Sequence, residues 1–201
     1  MNKISRPALV AATIGPVQSV LGWVIAGSLW PGYDPIKKTI SDLAADDSPV
    51  QAIQTSFFVL GGILSLVAAI WAGSLALPGR IVIFLGGLAT FGFAYFTTPS
   101  QDGHSGLHRI FAISSFVLFS AWPIFSMRLS RQASWVLRPV GAITATVGFT
   151  LISLWFLSTW TNPDATNVGL VERVIATAQT TYLSVVIWLC WLHSKRQAKS
   201  L

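Results

Sequence analysis

Apolar residues along this chain fall into six long runs, covering about residues 9–30, 52–77, 81–98, 107–127, 136–160 and 170–192. A hydrocarbon layer about 30 Å thick is crossed by roughly 20 apolar residues in helical form. The runs therefore predict six transmembrane helices. Pro and Gly punctuate the joints. Leu77-Pro78-Gly79-Arg80 predicts a tight turn that makes the second and third helices antiparallel neighbours. Thr161-Asn162-Pro163-Asp164 ends the fifth, because Pro cannot continue a helix and restrains its predecessor. The longest joint runs from Pro31 to Gln51. In it Ile36, Ile40 and Leu43 recur at helical spacing and predict a short amphipathic helix, lying on the membrane or folded over the bundle. No internal repeat, low-complexity tract or second domain interrupts the pattern. The expectation is an all-α polytopic membrane protein: a six-transmembrane-helix bundle with a short amphipathic helix between helices 1 and 2, forming one membrane domain over residues 1–201.

Composition agrees with this reading. Only 10% of the 201 residues are charged and 53% are hydrophobic, against about 25% charged in soluble domains. Nine Trp and twelve Phe fit interfacial and lipid contact. The net charge of +6 does not call for a nucleic-acid partner, because the basic residues sit in short loops and tails where the positive-inside bias accounts for them. Cys190 is the single cysteine, which excludes an intramolecular disulfide. The first apolar run is too long for a signal-peptide core and reads as a retained helix.

The distribution of Lys and Arg predicts orientation. With the N-terminus inside, Lys3, Arg6, Arg80, Arg128, Arg131, Arg138, Lys195, Arg196 and Lys199 are cytoplasmic, nine of the thirteen basic residues. Lys37, Lys38, Arg109 and Arg173 then fall outside, together with all seven acids: Asp34, Asp42, Asp46, Asp47, Asp102, Asp164 and Glu172. The expected location is the cell inner membrane, multi-pass, with both termini cytoplasmic.

Nearly every side chain capable of chemistry is thereby gathered in three outer segments. Tyr33, Ser41, Asp42, His104, His108, Arg109, Glu172 and Arg173 are the candidate ligand-binding residues. His104 and His108 are spaced i, i+4. If the fourth helix begins near Asp102, both rings share one face and chelate a divalent ion with Asp42 or Glu172. The opposing expectation is that one histidine caps the helix and the other bonds across the bundle. A haem held between two histidines is not expected, since they lie on one side and His193 lies at the other membrane surface. Glu172 and Arg173 open the sixth helix and read as an ion pair at the membrane surface, a site by default. Gln18, Gln54, Ser115 and Ser184 are costly in lipid and are expected to turn inward around a polar cavity, or to hold the bundle by interhelical hydrogen bonds. Gly61-Gly62 and Gly86-Gly87 are expected to allow close helix packing. No phosphate loop and no Gly-x-Ser-x-Gly elbow occurs.

Several blocks resemble a known family. Pro31-Gly32-Tyr33-Asp34-Pro35 followed by Thr39-Ile40-Ser41-Asp42-Leu43, then Phe58-Val59-Leu60-Gly61-Gly62, the His108 segment and Gly169-Leu170-Val171-Glu172-Arg173 resemble the domain of unknown function 998 family, over about residues 8 to 192. The resemblance implies a six-helix prokaryotic membrane protein and an outward constellation of Ser41, Asp42, His108, Glu172 and Arg173. It implies no activity.

Three functions are compatible with these residues. The chain binds or moves a small amphiphile or lipid, with Arg173 and Arg109 on the headgroup and Trp30 on the apolar part. Alternatively it is a metal-dependent intramembrane lipid hydrolase in which Asp42, His104, His108 and Glu172 hold the ion and Ser41 or His108 assists proton transfer. Or it is a non-catalytic accessory subunit whose polar cluster orders the first loop.

Overall fold

The apolar runs fold as helices almost throughout. The structure is a computed structural model that describes residues 4–101 and 103–199, apart from the Lys199 side chain. Lys3 and Asp102, counted above, lie outside the described residues. The elements are α1 (Arg6–Ser28), α2 (Ile40–Leu43), α3 (Gln51–Trp71), α4 (Leu77–Tyr95), α5 (Gly106–Phe125), a 3-10 turn (Trp135–Leu137), α6 (Pro139–Trp160) and α7 (Val168–Lys199). All except α2 and the 3-10 turn are long and apolar enough to cross a membrane. The chain is an all-α, multi-pass membrane protein.

The six long helices form a ring in chain order. Each packs on the one before it, and α7 closes the ring against α1. The half of the ring nearest the termini is solid. There Ala8, Ala11, Ala12, Ala68, Ala69 and Ala72 let α1 and α3 approach, and Trp122, Ile83 and Ile187 fill the centre. Midway along α3 and α4, a Cβ on Gly62 would lie 3.2 Å from the Gly87 carbonyl oxygen, and one on Gly87 would lie 3.2 Å from that of Gly62. Small residues therefore set this crossing distance, as the sequence leads one to expect. At the opposite end Ala26, Leu43 and Val50 make a smaller cluster with Trp23, Trp30 and Tyr33. There α2 touches α1, α3 and α7 and covers the ring.

Element boundaries depart from expectation where capping chemistry decides them. Leu77-Pro78-Gly79-Arg80 is the first turn of α4, and the joint lies at residues 72–76 instead. Pro is tolerated in a first turn because its missing N–H would have had no helical partner. The amphipathic helix is shorter than its apolar spacing predicts. Asp34 Oδ1 accepts the Ile36 N–H at 2.9 Å, which favours a turn there, and Ile36 is 52% exposed. The helix starts only after Thr39, whose hydroxyl accepts the Asp42 N–H while the Asp42 carboxylate accepts the Thr39 N–H. Ile40 and Leu43 are buried, so α2 is folded over the bundle. The fifth long helix begins at Pro139 after the 3-10 turn. Finally, α7 runs about two turns beyond the apolar limit at 192, through the polar Lys195–Gln197 segment.

Candidate functional site

Trp30-Pro31-Gly32-Tyr33 closes a tight turn, with the Tyr33 N–H donating to the Trp30 carbonyl at 3.1 Å. Gly32 has φ +80°, a left-handed value that Gly adopts without a Cβ penalty. The turn stacks the Tyr33 ring on Trp30, centroids 5.5 Å apart. It also aims the phenol at the backbone leading into α2, where Tyr33 Oη donates to the Thr39 carbonyl at 2.7 Å.

Arg173 completes this arrangement from α7. Its Nη2 donates to Tyr33 Oη at 2.5 Å, and its Nη1 donates to the carbonyls of Pro35 (2.8 Å), Lys38 (2.9 Å) and Gly169 (2.9 Å). The guanidinium lies 5.1 Å from the Trp23 ring centroid and 5.6 Å from that of Tyr33, and the residue is only 6% exposed. A buried cation is tolerated when acceptors and aromatic faces replace its water. Burial pushes the Tyr33 phenol above its ordinary pKa, against the downward pull of Arg173. Gly169 brings the loop and helix together. A Cβ there would collide with the Lys38 carbonyl oxygen, and next to it Leu170 N–H donates to the Ile36 carbonyl at 3.0 Å.

Glu172, one residue earlier, faces the opening of α2. Its carboxylate accepts the Ile40 N–H and, at 3.5 Å, is one acceptor for the Ser41 hydroxyl. Ser41 Oγ is in turn 3.2 Å from His108 Nε2. On the other side of that ring, Nδ1 lies 3.1 Å from the Phe93 carbonyl oxygen and 3.0 Å from that of Phe96. A carbonyl only accepts, so Nδ1 carries the proton, and in the neutral ring Nε2 is left to accept from Ser41. The two carbonyls are free because α4 ends at Tyr95 and its last C=O groups have no helical partner. Asp46 and Asp47 tie the neighbouring loops together, accepting from Thr97 Oγ1 at 2.5 Å and from the Gln101 N–H at 3.2 Å.

Two cavities meet at Ser41. The larger, about 580 Å³, is a cleft between α5 and α6. Its body is apolar, lined by Ile113, Val117, Leu154, Phe156 and Leu157. Its mouth carries Lys37, Lys38, Arg109 and His104. The Arg109 guanidinium lies 4.8 Å from the Trp160 ring centroid at the same mouth. The smaller cavity, about 130 Å³, lies inside the ring. Gln18, Gln54, Thr90, Ser115 and Gln179 line it. Gln18 Oε1 and Gln54 Oε1 are buried without a hydrogen-bond partner among the described residues. Ser41 and Glu172 line both spaces.

The model of a family described as Protein of unknown function (DUF998) matches residues 13–189. The chain belongs to this family. The matched region takes in most of α1 and α7 and everything between them, so in this DUF998 protein it includes Ser41, His108, Glu172 and Arg173. No curated protein and no solved structure matches the chain.

Two expectations about the site residues of this DUF998 protein change. His104 and His108 do not share a helical face. Ser105 is the N-cap of α5, its hydroxyl accepting the His108 N–H at 3.2 Å, so the helix starts after His104, which is exposed. Glu172 and Arg173 do not pair head to head. Adjacent on a helix, they diverge by about 100°, Glu172 toward α2 and Arg173 toward the loop carbonyls and Tyr33. Asp42 serves the capping box of α2 and also lines the cleft. Among the described residues, no three His, Cys, Asp or Glu side chains are grouped as a metal site requires. Two features of the site have no signal in the sequence: the Phe93 and Phe96 carbonyls, which no residue identity encodes, and the α5–α6 cleft. Trp30 lies with Tyr33, its ring 5.4 Å from Lys38 Nζ.

Proposed function

We propose that this protein binds an amphiphile with an anionic headgroup, which enters the α5–α6 cleft sideways from one leaflet. The observation that carries this reading is the cleft's polarity. An apolar channel about 580 Å³ in volume ends in a mouth bearing Lys37, Lys38 and Arg109. Ligand pockets of about 300–1,000 Å³ take most of a small ligand's surface out of water. A cation beside Trp160 at the end of an apolar wall offers an acyl chain and a negative headgroup their partners at once. By the Lys and Arg distribution, the mouth opens to the outer leaflet.

The second reading, an accessory subunit with an ordered first loop, draws support from Arg173, whose terminal nitrogens are engaged by loop carbonyls and Tyr33. The cleft favours ligand binding over it, because a purely structural cluster has no use for an apolar channel beside it. The direct test is native mass spectrometry of protein released from mild detergent. An anionic amphiphile should be retained, and Ile113→Trp with Leu157→Trp, which fill the channel, should expel it. Unchanged lipid retention by that double variant would refute the proposal.

A further inference from the structure

The α5–α6 cleft reaches a serine hydroxyl that faces an oriented imidazole. We propose that Ser41 and His108 are a nucleophile and general base that cleave an ester bond of the amphiphile in the cleft, an inference that rests on the binding reading above.

Three observations support it. The first is the polarity of the hydrogen-bond chain. The Phe93 and Phe96 carbonyls fix the proton on Nδ1 of His108, so the neutral ring presents its Nε2 lone pair to Ser41 Oγ at 3.2 Å. This is the arrangement that activates a hydroxyl: base within reach of the nucleophile, and a third group orienting the base. Two carbonyl oxygens at the C-terminal end of α4 take the place a carboxylate holds in other triads. Their negative ends face the ring and stabilise the imidazolium that proton transfer creates.

The second is rigidity. Ser41 follows two fixed residues: Thr39, held by its capping box and by Tyr33, and Ile40, whose N–H is held by Glu172. Glu172 thus acts as a positioning residue. The third is access from both sides. Ser41 lines the α5–α6 cleft on one side and, on the other, the internal cavity, where Gln18, Gln54 and Gln179 are set among phenylalanines. The internal cavity, about 130 Å³, has room for several waters. Gln18 Oε1 and Gln54 Oε1 face no donor of the described protein and suit such waters. A cleft for the ester on one side of the nucleophile and a space for water on the other is the geometry an esterase needs.

The steps balance without a cofactor. Ser41 Oγ bonds to the ester carbonyl carbon as its proton passes to His108 Nε2. The tetrahedral intermediate breaks its bond to the alcohol oxygen, which leaves with that proton. Water then adds to the acyl-Ser41 ester and gives a proton to His108. The C–Oγ bond breaks, Ser41 recovers the proton, and a carboxylic acid departs. Net, one ester and one water become one alcohol and one acid.

The test uses the full-length protein in nanodiscs, a long-chain fluorophosphonate as probe, and peptide mass mapping. The expected result is a covalent adduct on Ser41 of the unaltered protein. His108→Gln should slow adduct formation by roughly 100-fold or more. Mapping the unaltered protein removes any dependence on whether Ser41→Ala folds. An adduct confined to other residues, or an equal rate in His108→Gln, overturns the inference. Absence of an adduct while native mass spectrometry still finds lipid in the cleft overturns the nucleophile alone. Absence of both overturns the binding reading as well.

Discussion

Arg173 on the last helix reaches Tyr33 in the first loop, Nη2 to Oη at 2.5 Å, and so joins residues 140 positions apart. The same guanidinium gathers three carbonyls, two of which belong to the segment that turns into α2. Arg173→Ala should remove the guanidinium donor from the part-buried Pro35 carbonyl and from Tyr33 Oη, while the Lys38 carbonyl keeps the Tyr33 hydroxyl at 3.1 Å and the Gly169 carbonyl keeps its helical N–H. A loss of about 1–3 kcal/mol of stability is expected in denaturant titrations in micelles. Arg173→Lys should recover little of it, because an ammonium cannot reproduce the planar fork.

Tyr33 gives the clamp a pH limit. Burial raises its phenol pKa above the ordinary value near 10. An acid whose folded pKa is raised holds its proton more tightly in the folded state. Its contribution is complete below the unfolded value and is lost as pH rises beyond it. Stability should therefore be insensitive to this group through neutral pH and fall above about pH 10. In thermal melts across pH 7 to 11, Tyr33→Phe should start lower and show less of the alkaline decline.

Gly169 is where loop and helix touch. Gly169→Ala should destabilise the protein, because the new methyl would occupy the position of the Lys38 carbonyl oxygen. Gly148→Ala meets nothing within 4 Å and should be neutral or slightly stabilising. Comparing their melting temperatures separates loss of the Gly169 contact from the ordinary effect of Gly in a helix.

Orientation rests on Lys and Arg counting and is tested by single cysteines in a Cys190→Ser background. A membrane-impermeant maleimide applied to intact cells should label Asp164→Cys and leave Leu129→Cys unlabelled until the membrane is opened. The reverse pattern would invert the topology.

The sequence carried the six spans plainly, because apolar runs of this length have no other use. It also carried the inward turn of Gln18 and Gln54, since amides in lipid are costly, and the burial of Ile40 and Leu43. It misled at Ile36, where the Asp34 side chain competes for backbone N–H groups, and at His104, where Ser105 caps the helix one residue later. Spacing alone cannot show which residue wins the cap. The partners of His108 were hidden for a different reason: they are backbone oxygens at a helix end, and residue names do not encode them. The cleft was hidden because it arises from how α5 and α6 meet rather than from any motif.

The most direct test of the account is electron cryomicroscopy of the protein in lipid nanodiscs, with a rigid binding partner added for size. Elongated density is expected along Ile113, Val117 and Leu157, ending in a headgroup between Lys38 and Arg109. Lipid density confined to the outer faces of the ring, with an empty or collapsed cleft between α5 and α6, would contradict it.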